Sequence, residues 1–228
     1  MVQSVSRTVK EILLGLAYLN FAFENQLVNE SALARFIHKR VEEKTGKPVS
    51  RMAVIAAVRR FIVSSKPAVR STTLTRFLKS FKIHIRTGMI EANFKRTPGV
   101  SKLISQTEKK TNWNSGERFY VLGRSQEITV VSNSEYFKKI VSRFDAKDVL
   151  SVHGDRAVIT ISFDPHLAQE TFGALDYLTS VFAALGVSIH VVFTTYSENS
   201  FVIKEKDVPV VYKTLSQSMH EIDELHEG

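Results

Sequence analysis

The C-terminal two thirds of the chain repeats one order of predicted elements twice. From about Lys82 the apolar residues change from helical spacing to the alternation that is typical of strands. The pattern predicts strand, helix, strand, strand and helix over residues 81–146, and the same order over residues 147–222. Gly99 and Gly173 stand at equivalent places in the two copies. A duplication of this kind predicts an α+β fold with two α/β sandwich units.

Residues 1–80 are predicted to be all-helical. Apolar residues recur at helical spacing over Ser6 to Asn20, Ala32 to Lys44 and Arg51 to Val63. A shorter helix is predicted over residues 71–80. The second and third helices are joined by a tight Gly/Pro connection, and this is the order that a helix-turn-helix domain requires.

Basic residues on these helices are candidates for nucleic-acid contacts. On a helical wheel the arginines of the third helix lie away from the apolar stripe, and the preceding helix carries two further basic residues. No aromatic residues interleave with them, which favours duplex over single-stranded nucleic acid. The basic tract over residues 66–82 is either a second phosphate-contacting element or a charged connector. The predicted contact residues are Lys39, Arg40, Ser50 (as the N-cap), Arg51, Arg59 and Arg60.

Charge is divided unevenly along the chain. Residues 1–110 hold 21 Lys/Arg and 7 Asp/Glu, a net charge of +14, and no aspartate. Residues 111–228 hold 10 Lys/Arg and 16 Asp/Glu, a net charge of −6. A strongly basic region attracts polyanions, of which nucleic acid is the most common in a cell. An acidic protein partner and a purely solubilising role are the alternatives.

Two segments carry a resemblance to a known family. TFGALDYLTSVFAALGVSIHVVFTTYSENSFVIKEKDVPVVYKTL resembles the second ACT domain of aspartokinase regulatory regions, and FKRTPGVSKLI resembles the Pro-Gly-Val opening of an ACT helix. With VNESALARFIHKRVEEKTGKPVSRMAVIAAVRRF before them, the arrangement over roughly residues 8–222 is similar to archaeal proteins in which a helix-turn-helix-like segment precedes tandem ACT units. The resemblance implies two ferredoxin-like units that pair side by side. It does not extend to the kinase domain of aspartokinase, so kinase activity is not expected.

The resemblance also implies a ligand site near the first strand–helix turn, where ACT domains bind small molecules, often amino acids. A helix N-terminus exposes unpaired N–H groups that a carboxylate can approach at a glycine. Phe172 stands where the family often has proline, and the loop before it is longer, so this second pocket is either altered or lost. The alternative is a pair of units that only dimerise. The implied ligand-binding residues are Thr97, Pro98, Gly99, Val100, Thr171, Phe172, Gly173, Ala174, Thr195, Ser197, Glu198 and Asn199.

Motifs for catalysis are missing from the sequence. The chain has no cysteine, and its seven histidines do not recur at metal-ligand spacings. No nucleophile elbow or phosphate-binding loop occurs, and Asp164 with His166 is interpreted as a turn. We therefore expect no enzyme activity, no metal and no cofactor. The apolar N-terminal segment is broken by charges, so we expect a cytoplasmic protein without a membrane span. Residues 223–228 form a predicted acidic tail.

Two functions remain as hypotheses. The first is a DNA-binding transcriptional regulator that senses an amino acid or similar small anion and forms a homodimer or higher homo-oligomer. The second is a non-catalytic ACT partner that regulates an amino-acid biosynthetic enzyme.

Overall fold

The structure is a computed structural model that describes residues 4–19, 22–23, 26–64, 76–171 and 173–224. The chain divides into two compact units, Met1–Ser71 and Thr72–Gly228. The sequence pattern placed residues up to 80 with the helices. Phe77 and Leu78 instead pack in the core of the second unit, while residues 71–75 of the predicted short helix lie outside the described residues.

Among the described residues of the first unit, three helices have ten residues or more: α1 (Val5–Leu14), α2 (Glu30–Thr45) and α3 (Arg51–Ser64). The first is shorter than predicted, because Gly15 ends it and a single 3-10 turn follows at Ala17–Leu19. The helices pack their apolar stripes together in one core. Its most buried members are Val9, Leu13, Ala34, Ile37, Val41, Val54 and Val58.

The connection between α2 and α3 is fixed by side chains of α2. Gly46 ends α2 in the left-handed region, at φ 68°. His38 Nε2 donates to the carbonyl oxygen of Val49 at 2.8 Å, and the Val49 N–H donates to Glu42 Oε1 at 3.1 Å. The Ser50 hydroxyl accepts the Ala53 N–H at 3.2 Å and thereby caps α3. The start of α3 is therefore held against α2.

The second unit contains one six-stranded antiparallel sheet with helices along it. Its first half consists of β1 (Lys82–Lys95), α4 (Pro98–Lys110), β2 (Phe119–Gly123), β3 (Glu127–Asn133) and α5 (Ser134–Ile140). Its second half consists of β4 (Val149–Ser162), α6 (Pro165–Glu170), α7 (Ala174–Ala184), β5 (Val191–Thr194), β6 (Glu198–Lys204) and α8 (Val208–Glu224). The strand order is β2-β3-β1-β4-β6-β5. The predicted element order therefore occurs twice, mirrored about β1 and β4, with α6 added in the second half.

The two long strands β1 and β4 run through both halves. The sequence pattern predicted each as two short strands around a turn, whereas each is one strand of 14 residues. A register irregularity between Arg86 and Met89 absorbs Gly88, at φ 65°. Residues 89–95 of β1 pair with β3, while residues 82–86 pair with β4 alone. Residues 156–162 of β4 pair with β6 on one side and with β1 on the other. The sheet of each half therefore continues into the long strand of the other half.

Each half has its own core, and a third apolar cluster lies on the opposite face of the sheet. Met89, Val131, Val158 and Val202 form this cluster, one from each of the four inner strands. Tyr120 of β2 and Phe193 of β5 pack against it with ring centroids 5.1 Å apart, although these strands are the opposite edges of the sheet. Six strands about 4.8 Å apart would hold these edges far from each other in a flat sheet. The sheet is therefore strongly curved.

No helix among the described residues has the length and apolar character needed to cross a membrane.

Candidate functional site

The start of α4 is the first predicted ligand site. Thr97 is its N-cap, and the Thr97 hydroxyl accepts the Val100 N–H at 3.2 Å. Pro98 has no N–H to offer, and Val100 is anchored in the core at 2% exposure. Gly99 is exposed, and a Cβ added there would meet only the Thr97 hydroxyl, at 3.9 Å. The space in front of Gly99 is therefore open to a ligand.

Arg96 lies immediately before this helix start and links it to the bend between β2 and β3. Its Nη1 donates to the Arg124 carbonyl oxygen at 2.7 Å, and its main-chain N–H donates to the Gln126 carbonyl at 2.8 Å. Both Arg96 and Arg124 are exposed. These cations were missed in the sequence, where their only signal was a basic residue directly before Thr-Pro-Gly.

The ligand-binding residues predicted at the helix start of the second half do not have the same positions as those of α4. Thr171 is buried, and its hydroxyl donates to the Leu167 carbonyl at 2.7 Å. Gly173 precedes α7 at φ 79°, with no side-chain cap, and Ala174 packs against the core. Phe172 lies outside the described residues. The hydroxyl expected to face a ligand therefore already donates to the last turn of the preceding helix, α6.

The facing bend connects β5 to β6 and contacts the residue that follows β4. The Thr195 N–H donates to the Glu198 carbonyl at 2.8 Å, and the Ser197 carbonyl accepts the Phe163 N–H at 3.0 Å. Asn199 is buried within β6, at 7% exposure, while Thr195 and Glu198 are exposed.

The expected equivalence of Gly99 and Gly173 does not hold in the structure. Gly99 lies inside the first turn of α4, whereas Gly173 stands before α7 in the left-handed region. The helix that directly follows β4 is α6, which begins at Pro165, and Asp164 Oδ1 accepts the His166 N–H at 2.8 Å. The turn after β4 is thus Asp164-Pro165, in the place that Thr97-Pro98 takes after β1. The inserted α6 separates the predicted residues 171–174 from that turn.

The predicted nucleic-acid residues of α2 are both exposed. Lys39 Nζ lies 4.0 Å from Glu43, and the Arg40 guanidinium lies over the Phe36 ring at 5.6 Å from its centroid. An exposed pair of this kind holds its lysine weakly, so Lys39 remains available to a stronger anion.

The predicted residues of α3 are also exposed. Arg59 Nε donates to Glu30 at 2.8 Å, and Arg60 Nη2 donates to the Ser6 hydroxyl at 3.5 Å. Arg51 stands at the first position of α3, after the Ser50 cap. No acidic residue occurs in α3. Its outer surface is therefore cationic, with Arg59 partly neutralised.

Apolar side chains interrupt this basic surface, which the helical wheel did not indicate. Phe36 is 60% exposed on α2, and Met52 is 73% exposed on α3. Exposed large apolar groups next to cations are suited to a protein partner as well as to a nucleic acid.

The net charge is distributed differently when the chain is divided between its two compact units, at residue 71, rather than at residue 110. Residues 1–71 hold 12 basic and 5 acidic residues, a net charge of +7. Residues 72–228 hold 19 basic and 18 acidic residues, a net charge of +1. Half of the basic excess assigned to residues 1–110 thus belongs to the sheet unit.

A buried polar network lies where β1 and β4 pair. Arg156 Nε donates to Glu91 Oε2 at 3.1 Å, and both side chains are nearly buried. Asn93 donates to Glu91 at 3.2 Å and to the Ser151 hydroxyl at 3.0 Å. Partial burial, and then the charge of Arg156, hold the pKa of His190 below its ordinary value of 6.5. Among the described residues no group of three or more His, Asp or Glu could hold a metal ion.

Comparison with solved structures finds distant likenesses to aspartate kinases. The ligand-free regulatory subunit of aspartate kinase from Thermus thermophilus is 13% identical, with a TM-score of 0.47 over 59% of this chain and 95% of that one. Aspartokinase alpha and beta subunits give 12% identity and a TM-score of 0.49, over 61% and 93%. Clostridium acetobutylicum aspartate kinase gives 10% and 0.49, over 60% of this chain and 34% of the enzyme.

No model of a known protein family matches the chain, and no curated protein matches it. Each of these TM-scores lies below 0.5, so the likeness does not indicate what this chain binds. Only the chain's own residues bear on that question. Those residues form two surfaces of different character. The exposed start of α4 is suited to a small anion, and the exposed basic residues of α2 and α3 are suited to a polyanion.

Proposed function

We propose that the chain is a non-catalytic regulatory protein whose helical unit binds duplex DNA and whose sheet unit binds an amino acid or similar small anion. The observation that carries the first part is the outer surface of α3, with three exposed arginines and no acidic residue. The fixed connection between α2 and α3 supports it, because a recognition helix has to be held at a constant angle to its neighbour. Lys39 and Arg40 then contact phosphates from α2.

The sheet unit is proposed to consist of two ferredoxin-like units that share their long strands. The first would use the strand order β2-β3-β1-β4, with the N-terminal part of β4 as its fourth strand. The second would use β5-β6-β4-β1 in the same way. The sheet unit is proposed to form a homodimer, which gives two helical units and two DNA half-sites.

DNA affinity is expected to fall when two of these cations are removed. In Arg51→Gln/Arg60→Gln the loss of two phosphate contacts should lower affinity about 60-fold at 0.1 M salt, and the slope of log affinity against log salt should flatten by about 1.8. Filter binding to a mixed-sequence duplex across salt concentrations measures both. Arg59 is left in place because it also pairs with Glu30.

The matched control is Lys138→Gln/Lys206→Gln, which removes two exposed positive charges from the sheet unit. It should bind DNA like the unchanged protein. A flat salt profile, or an equal loss in the control, would show that DNA does not bind through α3.

The ligand site at α4 is tested by Gly99→Ala. Alanine is a better helix former than glycine, and its Cβ has room, so the stability of the fold should stay equal or rise. The same methyl group occupies the space in which a carboxylate would approach the helix N-terminus. Calorimetric titration with the common amino acids should identify one that binds, and its affinity should fall at least about tenfold in this variant, following the cost of an unmade charged hydrogen bond.

Gly154→Ala is the control, because nothing lies within 4 Å of its added Cβ and it is far along the chain from α4. If no amino acid gives heat in the unchanged protein, the sensing function is refuted while DNA binding stands.

A second candidate function is supported by the exposed Phe36 and Met52. These side chains suit a protein surface, so the helical unit could instead join the chain to an amino-acid biosynthetic enzyme as a regulatory partner. The two functions are separated by purification of the protein from its own cells. Nucleic acid that co-purifies and is displaced by salt supports the first, and a stoichiometric enzyme subunit supports the second.

A further inference from the structure

A small cavity of about 190 Å³ opens at the edge of the sheet, away from the start of α4. Glu108 of α4, Trp113 of the loop after it, Tyr120 of β2 and Phe193 of β5 line it, and the rest of its wall is β2. The curvature of the sheet creates this cavity, because it brings the side chains of two opposite edge strands together.

Three aromatic rings stand in succession along the cavity. The Trp113 and Tyr120 rings are 5.8 Å apart at 67°, and the Tyr120 and Phe193 rings are 5.1 Å apart at 36°. The faces of aromatic rings carry negative potential, so several rings around one space attract a cation.

The loop that carries Trp113 is held in place before any ligand arrives. Asn112 Oδ1 accepts the Ser115 N–H at 3.2 Å, and Glu117 Oε2 accepts the Asn112 N–H at 2.8 Å. Arg118 Nη1 donates to the Trp113 carbonyl at 2.9 Å. A preformed wall lowers the entropy lost on binding.

Glu108 supplies a negative charge at the same cavity. Its carboxylate is exposed and has no hydrogen bond or ion pair to any other residue that the structure describes. The guanidinium of Arg118, at the end of the loop, lies over the Trp113 ring, 5.4 Å from the centroid, without lining the cavity. The indole ring of Trp113 therefore already contacts one cation. The Glu108 carboxylate, which lines the cavity, has no ion pair with any described residue.

We propose that this cavity binds a small organic cation of the alkylammonium class, with Trp113, Tyr120 and Phe193 around its alkyl groups and the Glu108 carboxylate beside its charge. A hydrated inorganic cation would gain little from the aromatic wall, and a neutral apolar ligand would gain nothing from the Glu108 carboxylate. The volume equals about six water molecules, which suits a headgroup rather than a drug-sized molecule. The site is separate from the proposed amino-acid site, so either can fail alone.

The experiment uses the fluorescence of Trp113, which is the only tryptophan of the chain. The full-length protein is titrated with choline chloride that replaces sodium chloride at constant total chloride. A saturable change in emission is expected. The neutral isostere 3,3-dimethyl-1-butanol has the same shape without the charge, and it should bind at least about tenfold more weakly.

Glu108→Gln should weaken choline binding about fivefold, the size of one exposed charge interaction, and Phe193→Leu should weaken it by a similar factor. Glu170→Gln, which removes an exposed carboxylate from α6, should leave binding unchanged. A linear change without saturation, an isostere that binds equally well, or equal effects of Glu108→Gln and Glu170→Gln would each overturn the proposal.

Discussion

The Phe77→Ala variant is expected to lose about 4 kcal/mol of the free energy of unfolding of the sheet unit. Phe77 is fully buried, and its ring centroid lies 4.8 Å from that of Phe81 and 5.1 Å from that of Phe163. The residue precedes the first half in sequence, yet it belongs to the core of the second half. Its truncation removes apolar surface and leaves a cavity that the surrounding strands cannot fill. Urea denaturation followed by circular dichroism measures the loss.

Hydrogen exchange indicates where the loss occurs. Protection should fall most in β6, α7 and α8, whose side chains share the core with Phe77, and should be retained in α1 to α3, which have a core of their own. Leu175→Ala is the control, because this leucine is 43% exposed and its truncation should cost less than about 0.5 kcal/mol. If protection is lost only in α1 to α3, residues 76–80 belong with the helical unit, as their sequence pattern suggested.

Helices were the part of the fold that the sequence could predict. The apolar spacing of α2 and α3 placed their inward residues, and α3 was predicted from Arg51 to Val63 and ends one residue later. This succeeds because a helical stripe and its caps are local properties, readable within a window of a few turns. The Ser50 cap and the end of α2 before Gly46 are examples.

The continuous strands β1 and β4 could not be predicted in the same way. Gly88 and the sequence His153-Gly154-Asp155 are typical of turns, and Asp155 does have a positive φ of 54°. Each strand continues through its irregularity because the partner strand holds both sides in register, which is a non-local constraint. Strand pairing between distant segments leaves no trace in either segment alone.

The same distinction between local and non-local signals decides which candidate sites could be predicted. Thr97 to Val100 could be identified from a cap, a proline and a glycine in sequence, and they do form the first turn of α4. The insertion of α6 changed the second half, because the helix after β4 begins at Pro165 rather than near Thr171. The cavity beside Trp113 had no signal in the sequence, since Tyr120 and Phe193 meet only through the curvature of the sheet.

Glu91→Leu is expected to destabilise the sheet unit by about 3 kcal/mol, because it leaves a buried guanidinium without its main partner. Arg156 is 5% exposed and would retain only the Gly154 carbonyl and the exposed Asp155 carboxylate. In Glu91→Leu/Arg156→Met no charge is left to desolvate, so most of the loss should be recovered. The pKa of His190 should then rise only slightly, because the loss of Arg156, which lowers it, is partly offset by the loss of Glu91, which raises it, while burial continues to act.

Urea midpoints of the two single variants and the double variant, with a proton NMR titration of His190, complete this cycle. Lys147→Gln is the control, because its pair with Asp145 is exposed and the midpoint should not move. A loss in the double variant that equals the sum of the two single losses would mean that the two side chains do not act as a pair. A measured coupling would instead mean that the pair holds β1 of the first half in register with β4 of the second. Since β1 leads directly into α4, that register also fixes where the exposed Gly99 stands relative to the second half.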